Sequence, residues 1–178
     1  VDGISFTLRR GETFGIVGES GCGKTTAANS MLRLEEPTEG AVLFEWEDIT
    51  EHSDDELNQF RRNAQMMFQD PGSSLDPRMN VGTSIAEPLI VQGMTDGTRR
   101  RNIVGDLLER VGLSADDMKR FPHEFSGGQK QRIGLARALS VNPDLLIADE
   151  PVSALDVSVQ SEILNLIDEF QTEFGLGV

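Results

Sequence analysis

The stretch Gly18-Glu19-Ser20-Gly21-Cys22-Gly23-Lys24-Thr25 fits the pattern G-x-x-x-x-G-K-[ST] at every fixed position. Glycines at this spacing let consecutive backbone N–H groups turn inward and form a concave nest for an anion. The lysine brings a flexible cation to phosphate oxygens, and the threonine hydroxyl that follows can ligate Mg²⁺. The stretch therefore predicts a phosphate-binding loop, against the alternative of a glycine-rich turn that binds nothing.

The segments around this loop have the periodicity that such a loop needs. Thr13–Val17 is short and apolar and predicts a buried strand, and residues 25–34 predict a helix whose positive end faces the anion. Ile4–Leu8 alternates apolar and polar side chains, which predicts a half-buried antiparallel strand. Residues 41–44 predict a further strand. The loop is thus expected to lie between a strand and a helix.

Composition narrows the choice of partners. The 178 residues carry a net charge of −14, with 30 acidic and 16 basic side chains, of which three are lysines. An acidic surface repels nucleic-acid phosphates, which argues against a DNA or RNA partner. The same balance suggests adaptation to a high-salt cytoplasm, with an ordinary acidic protein as the alternative. The one cysteine excludes an intrachain disulfide, and no apolar run reaches membrane-spanning length.

The rest of the chain divides into an α/β part and a helical part. Residues 65–69 and 145–148 read as buried strands, the second being apolar throughout, as in a parallel sheet. Residues 71–80 are loop-like, residues 81–121 follow a helical period, and residues 157–174 predict a long helix. The pattern predicts one α/β domain with a helical segment inserted over about residues 71–124, the core being 1–70 and 125–178.

Further residues with useful chemistry follow the loop. Asp149 and Glu150 end a strand, where ligands of open α/β sheets bind, so Asp149 could hold Mg²⁺ and Glu150 could polarise a water molecule. Gln69 ends the preceding strand, and its neutral amide can both accept a hydrogen bond from water and approach Mg²⁺. Ser126 and Gln129 fit a capping box around Gly127 and Gly128, which predicts a second anion site at a helix start. Ser153–Asp156 reads as a turn and helix cap.

Taken in this order, these motifs resemble those of the ATP-binding cassette (ABC) ATPases. The signature motif is Phe125–Gln129, the second acidic motif is Leu145–Glu150, and the aspartate loop is Ser153–Asp156. The resemblance covers nearly the whole chain and implies a P-loop NTPase core with an antiparallel β edge and a helical subdomain. Three longer stretches are similar to the ATPase subunits of dipeptide, oligopeptide and nickel importers, namely residues 68–79, 121–129 and 150–160.

The resemblance implies an ATP-hydrolysing subunit that powers an importer of di/oligopeptides or a related small solute. Glu150 would be the general base, and Thr25, Gln69 and Asp149 would organise Mg²⁺. The same resemblance implies that two such subunits, identical or paralogous, close head-to-tail over two ATP molecules. The residues expected to contact ATP are Gly18, Glu19, Ser20, Gly21, Cys22, Gly23, Lys24, Thr25, Thr26, Gln69, Ser126, Gly127, Gly128, Gln129 and Asp156.

The expected partners are a second ATPase subunit, the permease subunits and, indirectly, a solute-binding protein, with the chain peripheral on the cytoplasmic face of the membrane. A soluble ABC-type ATPase of DNA repair or translation is the alternative. The family also has an adenine-stacking aromatic upstream of the first strand and a switch histidine beyond the last helix. Neither the aromatic residue nor the switch histidine has a match in this sequence, because His52 and His123 do not lie at the switch position. The sequence is therefore expected to lack both ends of the domain and to hydrolyse ATP poorly alone.

Overall fold

A computed structural model describes residue 1, residues 3–69 and residues 71–178. Asp70, which belongs to the importer-like stretch 68–79, lies outside the described residues. The elements follow in chain order: helix α1 Lys24–Met31, strands β1 Leu43–Phe44 and β2 Glu47–Asp48, helix α2 Asp54–Asn63, strand β3 Ala64–Met67, helices α3 Pro71–Ser74, α4 Val81–Val91, α5 Gly97–Arg110 and α6 Gly127–Leu139, strand β4 Leu145–Ala148 and helix α7 Val157–Phe174. Two 3₁₀ turns, Ala115–Lys119 and Pro122–Glu124, connect α5 to α6.

The parallel pair β3–β4 organises the end of the molecule that carries the acidic motif. Ala64 pairs with Leu145 and Met67 with Ala148, so both strands end at the same edge. Gly177 continues the sheet beyond β4, because its carbonyl accepts from the Leu146 N–H at 2.8 Å. Both strands are buried or half-buried, as their apolar sequences predict. A second, antiparallel pair joins β1 to β2, and β1 forms the last two residues of the strand predicted over residues 41–44.

Two strand predictions are wrong. Residues 4–8 form no strand, because no other segment of the described chain pairs with them, and an extended segment without a partner has no ladder. Residues 13–17 form no strand either. One parallel bridge is present around Thr13: the Phe14 N–H donates to the Val178 carbonyl at 2.8 Å, and the Val178 N–H donates to the Glu12 carbonyl at 2.9 Å.

The helices begin where local capping residues indicate. Ser53 and Glu56 form a complete capping box at the start of α2, whose first turn is acidic. Residues 71–80 were expected to be a loop, but the first four form the short helix α3. The predicted helical segment is confirmed in α4, α5 and the two 3₁₀ turns. Helix α1 ends at Met31, one turn before the predicted boundary.

Two apolar clusters hold these elements together. The larger one combines side chains of α4, α5, α6 and α7 with β3 and β4, so the helical segment shares its core with the sheet. Its fully buried members include Ile85, Leu108, Ile133 and Phe170. The smaller one lies under α1, α2 and the β1–β2 pair, around Ile49 and Phe60. Within the described residues, no helix is both long and apolar enough to cross a membrane.

Candidate active site

The predicted phosphate-binding loop is compact and leads directly into α1. Gly23 has a φ of +100° and caps the helix, a conformation that favours glycine. A side chain at Gly18 would place its Cβ 2.4 Å from the Cys22 sulfur, so any larger residue there would require the Cys22 side chain to move. The Lys24 ammonium donates to the carbonyls of Gly18 and Glu19 at 3.0 and 3.1 Å. The lysine thus lies across the loop.

The loop meets the acidic motif, although 124 residues separate them in sequence. The Thr25 hydroxyl donates to the Asp149 Oδ2 at 2.9 Å. The Lys24 ammonium lies 3.4 Å from the Glu150 Oε1. Asp149 is held at the end of β4 because its N–H donates to the Met67 carbonyl at 2.9 Å. The sheet edge therefore brings both carboxylates to the start of α1, as the sequence predicts.

Gln69 completes this group from the segment that follows β3, because the strand ends at Met67 and not, as predicted, at Gln69. Its amide Nε2 donates to the Glu150 Oε2 at 2.9 Å, so each carboxylate oxygen of Glu150 has a partner. Glu150 has a φ of +45°, which is unusual for a residue with a side chain. Such backbone strain is often found at functional sites, where the surroundings must hold it in place.

The donor set fits Mg²⁺ with ATP phosphates. The Thr25 hydroxyl, the Asp149 carboxylate and the Gln69 amide oxygen are hard oxygen ligands. Mg²⁺ is usually bound by one or two carboxylates and completes its shell with phosphate and water, and Asp149 is the one carboxylate in this set. Within the described residues, no cluster of three or more His, Cys, Asp or Glu side chains is suited to a metal.

The predicted capping box at the start of α6 is present. The Ser126 N–H donates to the Gln129 Oε1 at 2.9 Å, and the Gln129 N–H donates to the Ser126 Oγ at 3.3 Å. Ser126 and Gly127 are exposed, and Gly128 is half-buried. Within the described chain, no hydrogen bond or ion pair joins residues 126–129 to residues 18–26. The two anion sites of one chain are therefore not joined directly.

The remaining predicted site residues lie at the ends of helices. Thr26 is exposed in the first turn of α1. Asp156 is exposed and caps α7 with no side-chain hydrogen bond to the helix.

Two glutamines that sequence reasoning missed lie behind the acidic motif: Gln131 on α6 and Gln160 on α7 both donate to carbonyls of residues 151–155. The spacing of Gln131 one helical turn after Gly127 was the available signal.

Comparison with known proteins places these motifs in a family. The family profile described as ABC transporter matches residues 1–153. The oligopeptide transport ATP-binding protein AppF of Bacillus subtilis (strain 168) is 55% identical over 177 residues, 99% of this chain and 54% of that protein. A putative peptide import ATP-binding protein of Brucella ovis is 49% identical over 176 residues, covering 99% of this chain and 56% of that protein. The chain spans about half the length of the curated relatives it matches.

Solved structures agree with the sequence relatives. The ATP-binding cassette MJ0796, in a dimeric post-hydrolysis state bound to ADP and Pi, superposes with a TM-score of 0.85 at 34% identity. It covers 96% of this chain and 74% of that chain. The structure of cbiO1 from Clostridium perfringens, part of the ABC transporter complex cbiONQ, gives a TM-score of 0.86 at 30% identity over 98% of this chain and 68% of that chain. With the family profile matching most of its length, this chain belongs to the ABC transporter family.

Proposed function

We propose that this chain is the ATP-binding and ATP-hydrolysing part of a subunit that powers an importer of di/oligopeptides or a related small solute. The observation that carries the proposal is the meeting of Lys24 and Thr25 with Asp149 and Glu150 at one sheet edge. That arrangement combines phosphate binding, a metal-ligand set and a general base. The names of the relatives, which are peptide import ATP-binding proteins, support the class of solute.

In this proposal the loop residues 18–26 bind the phosphates through backbone N–H groups and the Lys24 ammonium. Thr25, Gln69 and Asp149 hold Mg²⁺. Bound ATP supplies the γ-phosphoryl group that is transferred to water, and catalysis depends on positioning and charge stabilisation. Glu150 accepts the proton of the attacking water. The Gln69 amide, which donates to the Glu150 Oε2, keeps the carboxylate oriented.

The second anion site is proposed to act on a partner subunit. The capping box uses the N–H groups of Ser126 and Gln129, which leaves those of Gly127 and Gly128 at the positive end of α6 for an anion. Within the described chain, no hydrogen bond or ion pair joins this segment to the loop of its own chain. In a head-to-tail dimer it would face the ATP of the other subunit, and Asp156 would lie near the same interface. The dimeric state of a structural neighbour supports this arrangement.

The helical segment of about residues 71–124 is proposed as the part that contacts the permease. Ile90 and Val91, at the end of α4, are 51% and 73% exposed, and such neighbouring apolar side chains suit a protein contact. Gln69 precedes this segment and is hydrogen-bonded to Glu150, so a change in the position of Glu150 on closure of the site would be transmitted to the segment that contacts the permease. The subunit is then peripheral on the cytoplasmic face of the membrane, and a solute-binding protein would act through the permease.

The test uses the complete protein that carries this chain, assembled with its permease. Glu150→Gln should lower phosphate release at least about a hundredfold, because the general base is lost, while MgATP affinity changes little. Glu169→Gln, at an exposed carboxylate on α7, is the matched control and should have no effect. Uptake of a labelled oligopeptide into vesicles should fail with Glu150→Gln alone. Unchanged phosphate release in Glu150→Gln would contradict the proposal.

A further inference from the structure

The turn that follows β4 carries the general base in a strained conformation. Glu150 has a φ of +45°, which costs about 1–2 kcal/mol for a residue with a side chain. Inside the turn, the Ser153 N–H donates to the Glu150 carbonyl at 3.2 Å, and the Leu155 N–H donates to the Val152 carbonyl at 3.1 Å. Both of these bonds are local and move with the turn. Contacts from outside must therefore decide where the turn, and Glu150 with it, is placed.

Two glutamines supply those outside contacts. The Gln131 Nε2 donates to the Pro151 carbonyl from the α6 side. The Gln160 Nε2 donates to the carbonyls of Val152 and Leu155 at 3.1 and 2.9 Å from the α7 side. Together the two amides bind three of the five carbonyls between residues 151 and 155. The turn is thus held between two helices by side-chain amides.

The contribution of the Gln131 side chain is this hydrogen bond rather than apolar packing. The residue is only 2% exposed, and its Oε1 has no partner among the described residues. A buried oxygen without a partner costs about 1–3 kcal/mol, which a methionine of similar shape would avoid. The amide therefore contributes through its N–H group, which reaches the residue next to Glu150.

The position of Gln131 also links it to the second anion site. It lies four residues after Gly127, so both residues are on one face of α6. That face packs on the turn, since a Cβ at Gly127 would lie 3.6 Å from the Leu155 side chain. An open cavity of about 160 Å³ lies beside the contact, and its lining includes Gln69, Gly127, Gln131, Pro151 and Leu155. A shift at the start of α6 would therefore act on Pro151 through Gln131.

We propose that Gln131 and Gln160 are positioning residues for Glu150, and that Gln131 couples the start of α6 to the turn that carries this base. The inference rests on the proposed function. Since Ser126–Gln129 would engage the partner's ATP while Glu150 acts on the ATP of its own chain, Gln131 connects two nucleotide sites. Loss of either amide should impair hydrolysis while leaving the phosphate-binding loop unchanged.

The experiment compares Gln131→Met and Gln160→Met with the parent in the complete assembled protein. Each variant keeps the length and packing of the side chain but cannot donate. We expect kcat to fall about tenfold or more, because small displacements of catalytic groups cost that much, while KM for ATP stays within about twofold. The double variant should lose less than the product of the single losses, since both amides hold one turn. Gln59→Met, at an exposed glutamine on α2 outside the proposed permease contact, is the control.

A second measurement separates this inference from the proposed function. Backbone hydrogen exchange over residues 152–156, measured without nucleotide, should be faster in both variants, and in Gln59→Met it should match the parent. If the parent protein shows no ATPase activity, the proposed function fails and the exchange result still decides whether the amides hold the turn. Parental exchange rates in both variants, or a parental kcat in an active protein, would overturn the inference.

Discussion

Replacing Gly128 by alanine tests whether the glycine pair of α6 is required by packing as well as by ligand binding. A Cβ built at Gly128 lies 2.5 Å from the Val159 Cγ1 on α7, about 0.9 Å inside the 3.4 Å limit of ordinary contact. Valine in a helix has essentially one χ1 rotamer, so the methyl group cannot turn away. The two helices must separate, or the start of α6 must tilt.

The expected net effect of Gly128→Ala is a loss of about 1–2 kcal/mol in the free energy of unfolding. Overpacking of this kind costs about 1–3 kcal/mol. The gain in helix propensity from glycine to alanine returns at most about 0.5–1 kcal/mol. Gly134→Ala supplies the matched control: it lies in the same helix with nothing within 4 Å of its Cβ position, and should stabilise by that propensity gain alone.

Urea denaturation of the complete protein measures both variants against the parent, and the sign of the shift in midpoint should differ between them. Adding Val159→Ala to Gly128→Ala removes the methyl group that clashes and should recover most of the loss beyond the cost of Val159→Ala alone. If Gly128→Ala is as stable as the parent, or if Val159→Ala recovers nothing, the reasoning from close packing is refuted.

Three further predictions concern charge. Lys24→Ala should weaken MgATP binding at least about tenfold in a fluorescence titration, because the loop loses its cation, whereas Lys119→Ala should leave affinity unchanged. Hydrogen bonds from the Arg120 guanidinium and, more weakly, from the Ser114 N–H lower the pKa of Asp117. This carboxylate therefore stabilises the fold above about pH 4, and the stabilisation is lost as the pH falls through the lowered pKa. Asp117→Asn should lower the free energy of unfolding by about 1 kcal/mol or less near pH 7, and the variant should not differ from the parent in strong acid. If the acidic surface is adapted to high salt, the melting temperature should rise between about 0.1 and 2 M KCl as self-repulsion is screened, and a constant melting temperature would favour an ordinary acidic surface.

A local signal in the sequence predicted the start of α6. Ser126 and Gln129 satisfy backbone N–H groups within four residues, so the information needed is contained in the segment itself. The apolar run of β4 was equally informative, because a strand buried on both faces needs no polar alternation. The meeting of the loop with Asp149 and Glu150 followed from a general property of α/β sheets and the family resemblance.

The failed predictions depended on distant partners. Alternation over residues 4–8 and apolarity over residues 13–17 describe segments that could pair, but a strand exists only where another strand supplies its hydrogen bonds. The orientation of Gln131 was also hidden, because a glutamine on a helix gives no indication of the carbonyl it will reach. Its contact with Pro151 is set by how α6 crosses the end of the sheet.

The bridge between Thr13 and Val178 has a consequence for the order of folding. Residues 177 and 178 lie between β4 on one side and the segment leading to the phosphate-binding loop on the other. Thr13 and Val178 are far apart in sequence, and closing so long a loop is a slow step in folding. During synthesis, the segment before the loop emerges early and cannot reach its place in the sheet until residues 177 and 178 have left the ribosome. The nucleotide site should therefore become competent for ligand only after β4, α7 and these two residues have been made.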